Sequence, residues 1–150
     1  MAGTYTNILL HLAFSTKHRE PLITPDLAPR LHGYLGGAVR GEGGLAIEIG
    51  GMPDHVHLLV KWRPDEAVST LLRNMKGGSS RWVHETFPEH RAFAWQEGYG
   101  AFSVSESQAE VVRAYIRNQT EHHRKRSFKE EFVALLDAHG VAYDAQLIWR

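Results

Sequence analysis

The order of hydrophobic patterns along the chain limits the folds that it can adopt. Four segments have the alternation or the short apolar runs of strands: residues 4–15, 45–49, 55–62 and 99–104. Four others have helical spacing or helix-start signals: residues 26–39, and segments that open at 64–66, near 106 and at 127. This order predicts an α+β fold. Specifically, we expect a ferredoxin-like split βαβ antiparallel sheet with helices on one face, plus C-terminal helices.

The length and composition favour one domain over residues 1–150. The chain has 150 residues, of which 43% are hydrophobic, enough for one core. It has no cysteine, which excludes disulfides, cysteine-ligated zinc and thiol nucleophiles, and a cytoplasmic protein fits this best. The early apolar run, residues 8–14, is interrupted by His11 and is much shorter than the roughly 20 residues that span a bilayer. We therefore expect neither a signal peptide nor a membrane anchor.

The charges are balanced overall but unevenly distributed. Seventeen basic and seventeen acidic residues give a formal net charge of zero, which argues against a sequence-blind polyelectrolyte binder. One basic group is Arg113, Arg117, Arg124, Lys125 and Arg126, and a looser second group includes Lys76 and Arg81. Acids collect near the C-terminus, at Glu130, Glu131, Asp137 and Asp144. A local basic face is therefore compatible with a neutral chain.

A pair of histidines follows a predicted turn. His55 and His57 are two residues apart in the strand that comes after residues 52–54, so both imidazoles leave the same face and can share one cation. With ten histidines in the chain such a pair is not rare. Taken alone, exposed or hydrogen-bonded strand histidines remain an open interpretation.

A tyrosine and a glutamine share one stripe of a predicted helix. Tyr115 and Gln119 are four residues apart, which places a phenol and an amide carbonyl on the same side. Taken alone, Tyr115 is better explained by core or rim packing than by chemistry. The sequence from Ser105 to Gln108 has the form of a capping box and predicts the helix start, and the same signature recurs from Ser127.

Together these motifs carry a family resemblance. Met52-Pro-Asp-His-Val-His-Leu-Leu-Val60 and Tyr115-Ile-Arg-Asn-Gln119 resemble the two signatures of single-tyrosine HUH transposases, the small enzymes of bacterial insertion sequences and REP-associated elements. Further segments resemble the family in the same order: residues 11–19, 75–81, 95–104, 121–132 and 143–149. The likeness therefore extends over nearly the whole chain.

The resemblance implies cleavage and rejoining of single-stranded DNA through a covalent 5′-phosphotyrosine. Tyr115 is then the nucleophile, and His55, His57 and Gln119 hold a divalent metal, Mg²⁺ or Mn²⁺. The implied partners are single-stranded DNA, folded into hairpins, and a second copy of the chain in a homodimer. The residues expected to contact DNA are Lys76, Arg81, Arg113, Arg117, Arg124, Lys125 and Arg126. Two imidazoles and one amide make a weak, neutral site for magnesium, and no general base is assigned.

Three other functions remain open. The first is a domesticated or non-catalytic module that binds single-stranded nucleic acid on a ferredoxin-like sheet. The second is a replication-initiation or relaxase-like nickase, which shares the paired histidines. The third is a metallohydrolase that uses water in place of Tyr115. The metallohydrolase would turn over without leaving protein attached to DNA.

Overall fold

A four-stranded antiparallel sheet forms the centre of the protein in the computed structural model, which describes residues 3–149. The strands are β1 (Ile8–Ser15), β2 (Leu45–Met52), β3 (His55–Trp62) and β4 (Gly100–Val104). Their spatial order is β2-β3-β1-β4, and every pairing is antiparallel. This is the order of the split βαβ arrangement, so the predicted fold class is confirmed.

Helices cover both faces of this sheet. The α-helices are α1 (Leu27–Gly41), α2 (Val68–Thr86), α3 (Ala109–Arg117), α4 (Gln119–His122) and α5 (Phe128–Ala138). Short 3₁₀ turns lie at Lys17–Arg19, Pro88–His90 and Glu106–Gln108. Helices α1 and α2 pack on one face, as expected, and the added C-terminal helices α3 and α5 pack on the other. Within residues 3–149, no helix combines the length and apolar character needed to cross a membrane.

Strand alternation separates the main core from the face that carries the histidines. Leu12 and Leu58 point into the cluster formed with α1 and α2, while Leu59 points to the opposite face and meets Ile116 of α3. On that second face, Ala13 of β1 lies opposite His57 of β3. The two central strands therefore place the histidines beneath α3 and α5.

Several element boundaries differ from the sequence prediction. Strand β1 begins at Ile8 and not at residue 4, β2 continues to Met52, and β3 has the predicted bounds. The sequence left open whether α2 passes through Gly77 and Gly78, and it does. The buried stripe of α2 continues on both sides of these glycines, from Leu71 to Val83. Tertiary packing therefore outweighs the low helix propensity of the glycines.

One of the two predicted capping boxes is wrong. The side chain of Ser105 makes no cap hydrogen bond, because the N–H of Gln108 instead donates to the backbone carbonyl of Ser105 at 2.9 Å and closes a 3₁₀ turn. The second box is confirmed, since Ser127 Oγ accepts from the N–H of Glu130 at 3.2 Å. It fixes the first turn of α5 and hence the position of its side chains.

Gly50 allows α3 to pack directly on β2. A Cβ at this position would lie 2.3 Å from the carbonyl oxygen of Ile116, so Gly50→Ala must push α3 away from the sheet. We expect the free energy of unfolding to fall by about 2 kcal/mol. Gly77→Ala is the matched control, because its Cβ meets nothing within 4 Å and should stabilise α2 by about 1 kcal/mol. Urea unfolding tests both, and equal stability of the two variants would contradict the packing.

Candidate active site

Three elements bring polar side chains together on the second face of the sheet. Strand β3 carries His55 and His57, α4 begins with Gln119, and α5 carries Glu131. His55 Nε2 lies 2.8 Å from Gln119 Oε1, and His57 Nε2 lies 2.8 Å from Glu131 Oε1. All four side chains are buried. Both imidazoles thus point toward one centre, as the alternation along β3 predicts.

Helix α3 adds the tyrosine to this centre. The Tyr115 hydroxyl donates a hydrogen bond to Glu131 Oε2, and the Tyr115 ring lies 5.8 Å from that of His57 between centroids. The tyrosine and the histidines belong to the same chain. The helix predicted to carry both Tyr115 and Gln119 ends at Arg117, and Gln119 opens α4 after a break at Asn118. Both side chains nevertheless reach the centre.

The two oxygens of Glu131 have different neighbours. Oε1 lies 2.8 Å from His57 Nε2 and 3.4 Å from His55 Nε2. Oε2 accepts the hydrogen bond from Tyr115 and a second one, at 3.2 Å, from Gln119 Nε2. One carboxylate therefore lies between the imidazole pair and the phenol, and it connects them.

This donor set fits a divalent cation. One nitrogen each from His55 and His57 and one oxygen from Glu131 lie within 4.8 Å of one another. Imidazole nitrogen and carboxylate oxygen are common ligands of zinc and manganese, and a carboxylate supplies the negative charge that a His-His-Gln set lacks. Gln119 Oε1, 2.8 Å from His55 Nε2, is also within reach as a third ligand.

Glu131 is the site residue that the sequence reading missed. In the sequence it lies among the acids near the C-terminus, far from the histidines. A signal was present, because Glu131 is three residues after Phe128 and four before Leu135, within the apolar stripe of α5. A carboxylate on the buried stripe of an amphipathic helix needs a partner, and buried charges of this kind concentrate at functional sites.

Burial and hydrogen bonding perturb the titrating groups of the site. Burial lowers the pKa of His57, although Glu131 opposes this shift. Burial, together with the hydrogen bond to Glu131, raises the pKa of the Tyr115 phenol well above its usual range. Burial also acts to raise the pKa of Glu131, but hydrogen bonds from His57 and Tyr115 outweigh it and hold that pKa below its usual range. Tyr115 is therefore a protonated donor to an ionised carboxylate at neutral pH.

A second layer of side chains holds both histidines by their Nδ1 atoms. His55 Nδ1 lies 2.7 Å from Asp54 Oδ1, and His57 Nδ1 lies 2.8 Å from His11 Nε2. The ring of Phe128 stacks on His55 at 4.5 Å between centroids. With Nδ1 engaged, each ring presents Nε2 to the centre, which is the orientation that a shared cation requires.

The basic residues predicted to contact DNA fall into two sets. Arg113 and Arg117 both donate to Glu48 Oε1, at 2.9 and 3.0 Å, and so tie α3 to β2. Lys76 donates to the carbonyls of Glu97 and Gly98, and its burial lowers its pKa to about 8. The others are exposed: Arg81, Arg124, Lys125 and Arg126. DNA contact by these residues stays a prediction.

A cleft opens beside the site. It has a volume of about 410 Å³, and its lining includes Asp54, His123 and Phe128, which contact the site residues. Arg19 and Arg126 also line it. This cleft, the Arg19–Arg126 cleft, combines two guanidinium groups with side chains that contact the buried centre.

The fold and the site together define a class of protein. It has a ferredoxin-like sheet, a His-Val-His pair on a central strand and a helix-borne tyrosine that faces the pair. A family model described as "Transposase IS200 like" matches residues 4–119, which include His55, His57, Tyr115 and Gln119. The chain belongs to the family of IS200-like transposases, and the resemblance noted from the sequence is confirmed. The match ends before Glu131.

Named relatives agree with this assignment. The chain is 28% identical over 114 residues to the ISDra2 transposase TnpA of Deinococcus radiodurans, covering 73% of this chain and 81% of that protein. It is 26% identical over 127 residues to the transposase for insertion sequence element IS200 of Salmonella typhimurium, covering 81% and 82%. The chain is thus similar to these transposases over most of its length.

Two solved structures have a similar fold. A crystal structure of a candidate transposase from Deinococcus radiodurans matches with a TM-score of 0.64 at 27% identity, covering 79% of this chain and 95% of that one. The structure of a REP-associated tyrosine transposase bound to a REP hairpin matches with a TM-score of 0.55 at 15% identity, covering 77% and 68%. The second likeness concerns the fold alone.

Proposed function

We propose that this transposase cleaves and rejoins single-stranded DNA through a covalent 5′-phosphotyrosine at Tyr115. A divalent cation, Mg²⁺ or Mn²⁺, is held by His55, His57 and an oxygen of Gln119 or Glu131. The observation that carries this proposal is the carboxylate bridge, in which Glu131 contacts Tyr115 with one oxygen and the imidazole pair with the other. A phosphate bound at the imidazole pair would lie next to the phenol.

The bond changes in this reaction balance without a co-reactant. The phenol of Tyr115 gives up its proton, and its oxygen forms a bond to phosphorus. The bond between phosphorus and the 3′ oxygen breaks, and that oxygen takes up one proton, so the fragment leaves as a 3′-hydroxyl. The phosphotyrosine ester keeps the bond energy, so a 3′-hydroxyl of another strand can reverse the step and join the DNA. When bound, the cation polarises a non-bridging phosphate oxygen.

The other residues of the site place these groups. Glu131 orients the Tyr115 hydroxyl, and Asp54 and His11 orient the imidazoles through Nδ1. The apolar side chains of α3 and α5 help to bury the site, and this burial would limit hydrolysis of the ester. The homodimer implied by the resemblance stays a prediction, and Tyr115 and the histidines of one chain already meet.

Single-stranded DNA with hairpins is the substrate that we propose. The REP-associated transposase with a similar fold is bound to a REP hairpin, which supports this choice. We place the strand in the Arg19–Arg126 cleft, because it carries two guanidiniums and leads to the site through His123. Phosphate groups along the strand would lie against these cations.

Removing both cleft arginines is expected to weaken DNA binding. For the double variant Arg19→Ala with Arg126→Ala, we expect the Kd for single-stranded DNA to rise about tenfold. The slope of log K against log salt should shrink by about 1.4, which corresponds to two lost phosphate contacts. Arg40→Ala, an exposed change at the end of α1, is the matched control and should alter neither value. An unchanged salt slope in the double variant would contradict the proposal that the DNA strand binds in this cleft.

A labelled-strand experiment tests the proposed reaction. Single-stranded oligonucleotides with and without hairpins are incubated with the protein and Mn²⁺, Mg²⁺ or EDTA, and then separated on denaturing gels. With a 3′ label, radioactivity should migrate with the protein; with a 5′ label, it should appear as a free fragment. Labelled protein from the 5′ label would reverse the polarity and contradict the proposal. DNA binding with no cut at any sequence would favour the non-catalytic module.

A further inference from the structure

The hydrogen bond between His11 and His57 is buried and joins two histidines directly. His11 Nε2 lies 2.8 Å from His57 Nδ1, with the ring centroids 5.0 Å apart. His11 is 3% exposed and His57 is fully buried. His11 points from β1 to the second face of the sheet, where it lies behind the proposed cation ligand with its ring 6.1 Å from that of Tyr115 between centroids.

We infer that His11 is a positioning residue for the cation site: it keeps a hydrogen bond to His57 Nδ1 in either tautomer of His57, and it changes its own tautomer when a cation binds. The inference rests on the proposed function, because it assumes that His57 is a ligand. Its basis is the chemistry of the two atoms in contact, each of which donates in one tautomer and accepts in the other.

Without a cation, Glu131 fixes the arrangement. Its Oε1 lies 2.8 Å from His57 Nε2, and an ionised carboxylate only accepts hydrogen bonds. The hydrogen of His57 is therefore on Nε2. Burial disfavours a second hydrogen on the ring, so Nδ1 carries a lone pair. The hydrogen in the contact with His11 then comes from His11 Nε2.

With a cation bound, the donor and acceptor of the hydrogen bond between His11 Nε2 and His57 Nδ1 must exchange roles. His57 Nε2 gives its lone pair to the cation, so the ring hydrogen is on Nδ1 and His11 Nε2 accepts it. One hydrogen passes from His11 Nε2 to His57 Nδ1, the hydrogen on His57 Nε2 leaves to solvent, and His11 Nδ1 takes one up. Each ring keeps one hydrogen, and the pair releases no net proton.

Histidine suits this position better than other side chains. A carboxylate, such as Asp54 beside His55, can only accept and therefore holds one tautomer. A lysine can only donate, and an amide must rotate to change from donor to acceptor. An imidazole reverses the hydrogen bond at a single atom without moving, which suits a packed interior.

Nitrogen NMR tests the exchange without any DNA. Long-range ¹H–¹⁵N spectra of histidine-labelled protein are recorded without metal and with Zn²⁺, a diamagnetic probe, and His11→Gln supplies the assignment of His11. We expect hydrogen on Nε2 of both rings in the free protein and on Nδ1 of both rings with zinc. If His57 binds zinc while His11 keeps the same tautomer, the inference is wrong.

Cation affinity provides a second measurement. His11→Leu should weaken binding of Zn²⁺ and Mn²⁺ at least about tenfold, whereas His11→Gln, which can rotate its amide, should stay within about threefold. His84→Leu is the control, because His84 Nε2 lies 2.8 Å from the Phe93 carbonyl, away from the site. Thermal unfolding first shows which variants are folded. If His11→Leu does not fold, the wild-type spectra and His11→Gln still decide.

The outcomes separate this inference from the proposed function. If the protein binds zinc and forms a Tyr115 adduct while the His11 tautomer stays unchanged, the role of His11 is refuted and the proposed reaction is supported. If the tautomers exchange but no adduct forms, the role of His11 is supported and the proposed reaction is refuted. A folded His11→Leu variant with wild-type cation affinity would overturn the inference directly.

Discussion

Tyr115→Phe is expected to abolish the covalent DNA adduct and to lower cleavage by at least about 1,000-fold. The substitution removes the oxygen atom that we propose forms the bond to phosphorus. It leaves the ring, which packs against His57 and His122, in place. The Kd for single-stranded DNA should therefore change by less than about threefold. Adduct yield on denaturing gels and a filter-binding titration measure the two quantities separately.

Tyr143→Phe is the matched control for this prediction. Tyr143 is exposed in the C-terminal segment and lies outside the site, so its substitution should leave adduct formation unchanged. A Tyr115→Phe protein that still cuts DNA with added metal, but leaves no adduct, would favour the metallohydrolase that uses water. An adduct that survives the substitution would place the nucleophile elsewhere.

His57→Ala is expected to have an effect of similar size through the cation. Loss of this imidazole should lower Mn²⁺ affinity by at least about 100-fold and eliminate the adduct. It also leaves Glu131 without its closest imidazole partner, so the free energy of unfolding should fall by about 3 kcal/mol. Titration with Mn²⁺ measures the affinity, and urea unfolding measures the stability. His90→Ala is the control, because His90 lies in the 3₁₀ turn Pro88–His90 and not in the site.

His57→Gln separates the two consequences of that substitution. The amide retains a hydrogen-bond donor for Glu131, so the variant should be more stable than His57→Ala while still binding Mn²⁺ poorly. Adduct formation at the wild-type rate in either folded variant would refute the assignment of His57 as a ligand.

The parts of the structure that follow from local periodicity could be predicted from the sequence. The alternation along β3 placed His55 and His57 on one face, and β3 has the predicted bounds. The helical spacing after Ser127 placed α5 correctly. Periodicity determines which side of an element is buried, because burying the apolar stripe dominates the free energy of folding.

The remaining features depend on contacts between distant parts of the chain. Glu48 binds Arg113 and Arg117 across 65 and 69 residues, so the ion pairs exist only once α3 has docked on β2. The role of Glu131 likewise requires α5 to lie over β3, 74 residues from His57 in sequence. The charge pattern of the sequence does not reveal the partners of Glu48 or Glu131, because the tertiary packing decides which charged groups meet.

Peptide mapping of the DNA adduct tests the central claim most directly. After nuclease trimming and trypsin digestion of the denatured adduct, the peptide of residues 114–117, which contains Tyr115 as its only hydroxyl-bearing residue, is examined by mass spectrometry. The account predicts that this peptide gains the mass of a 5′-phosphorylated nucleotide. A nucleotide attached to any other peptide, or cleaved DNA with no modified peptide, would contradict it.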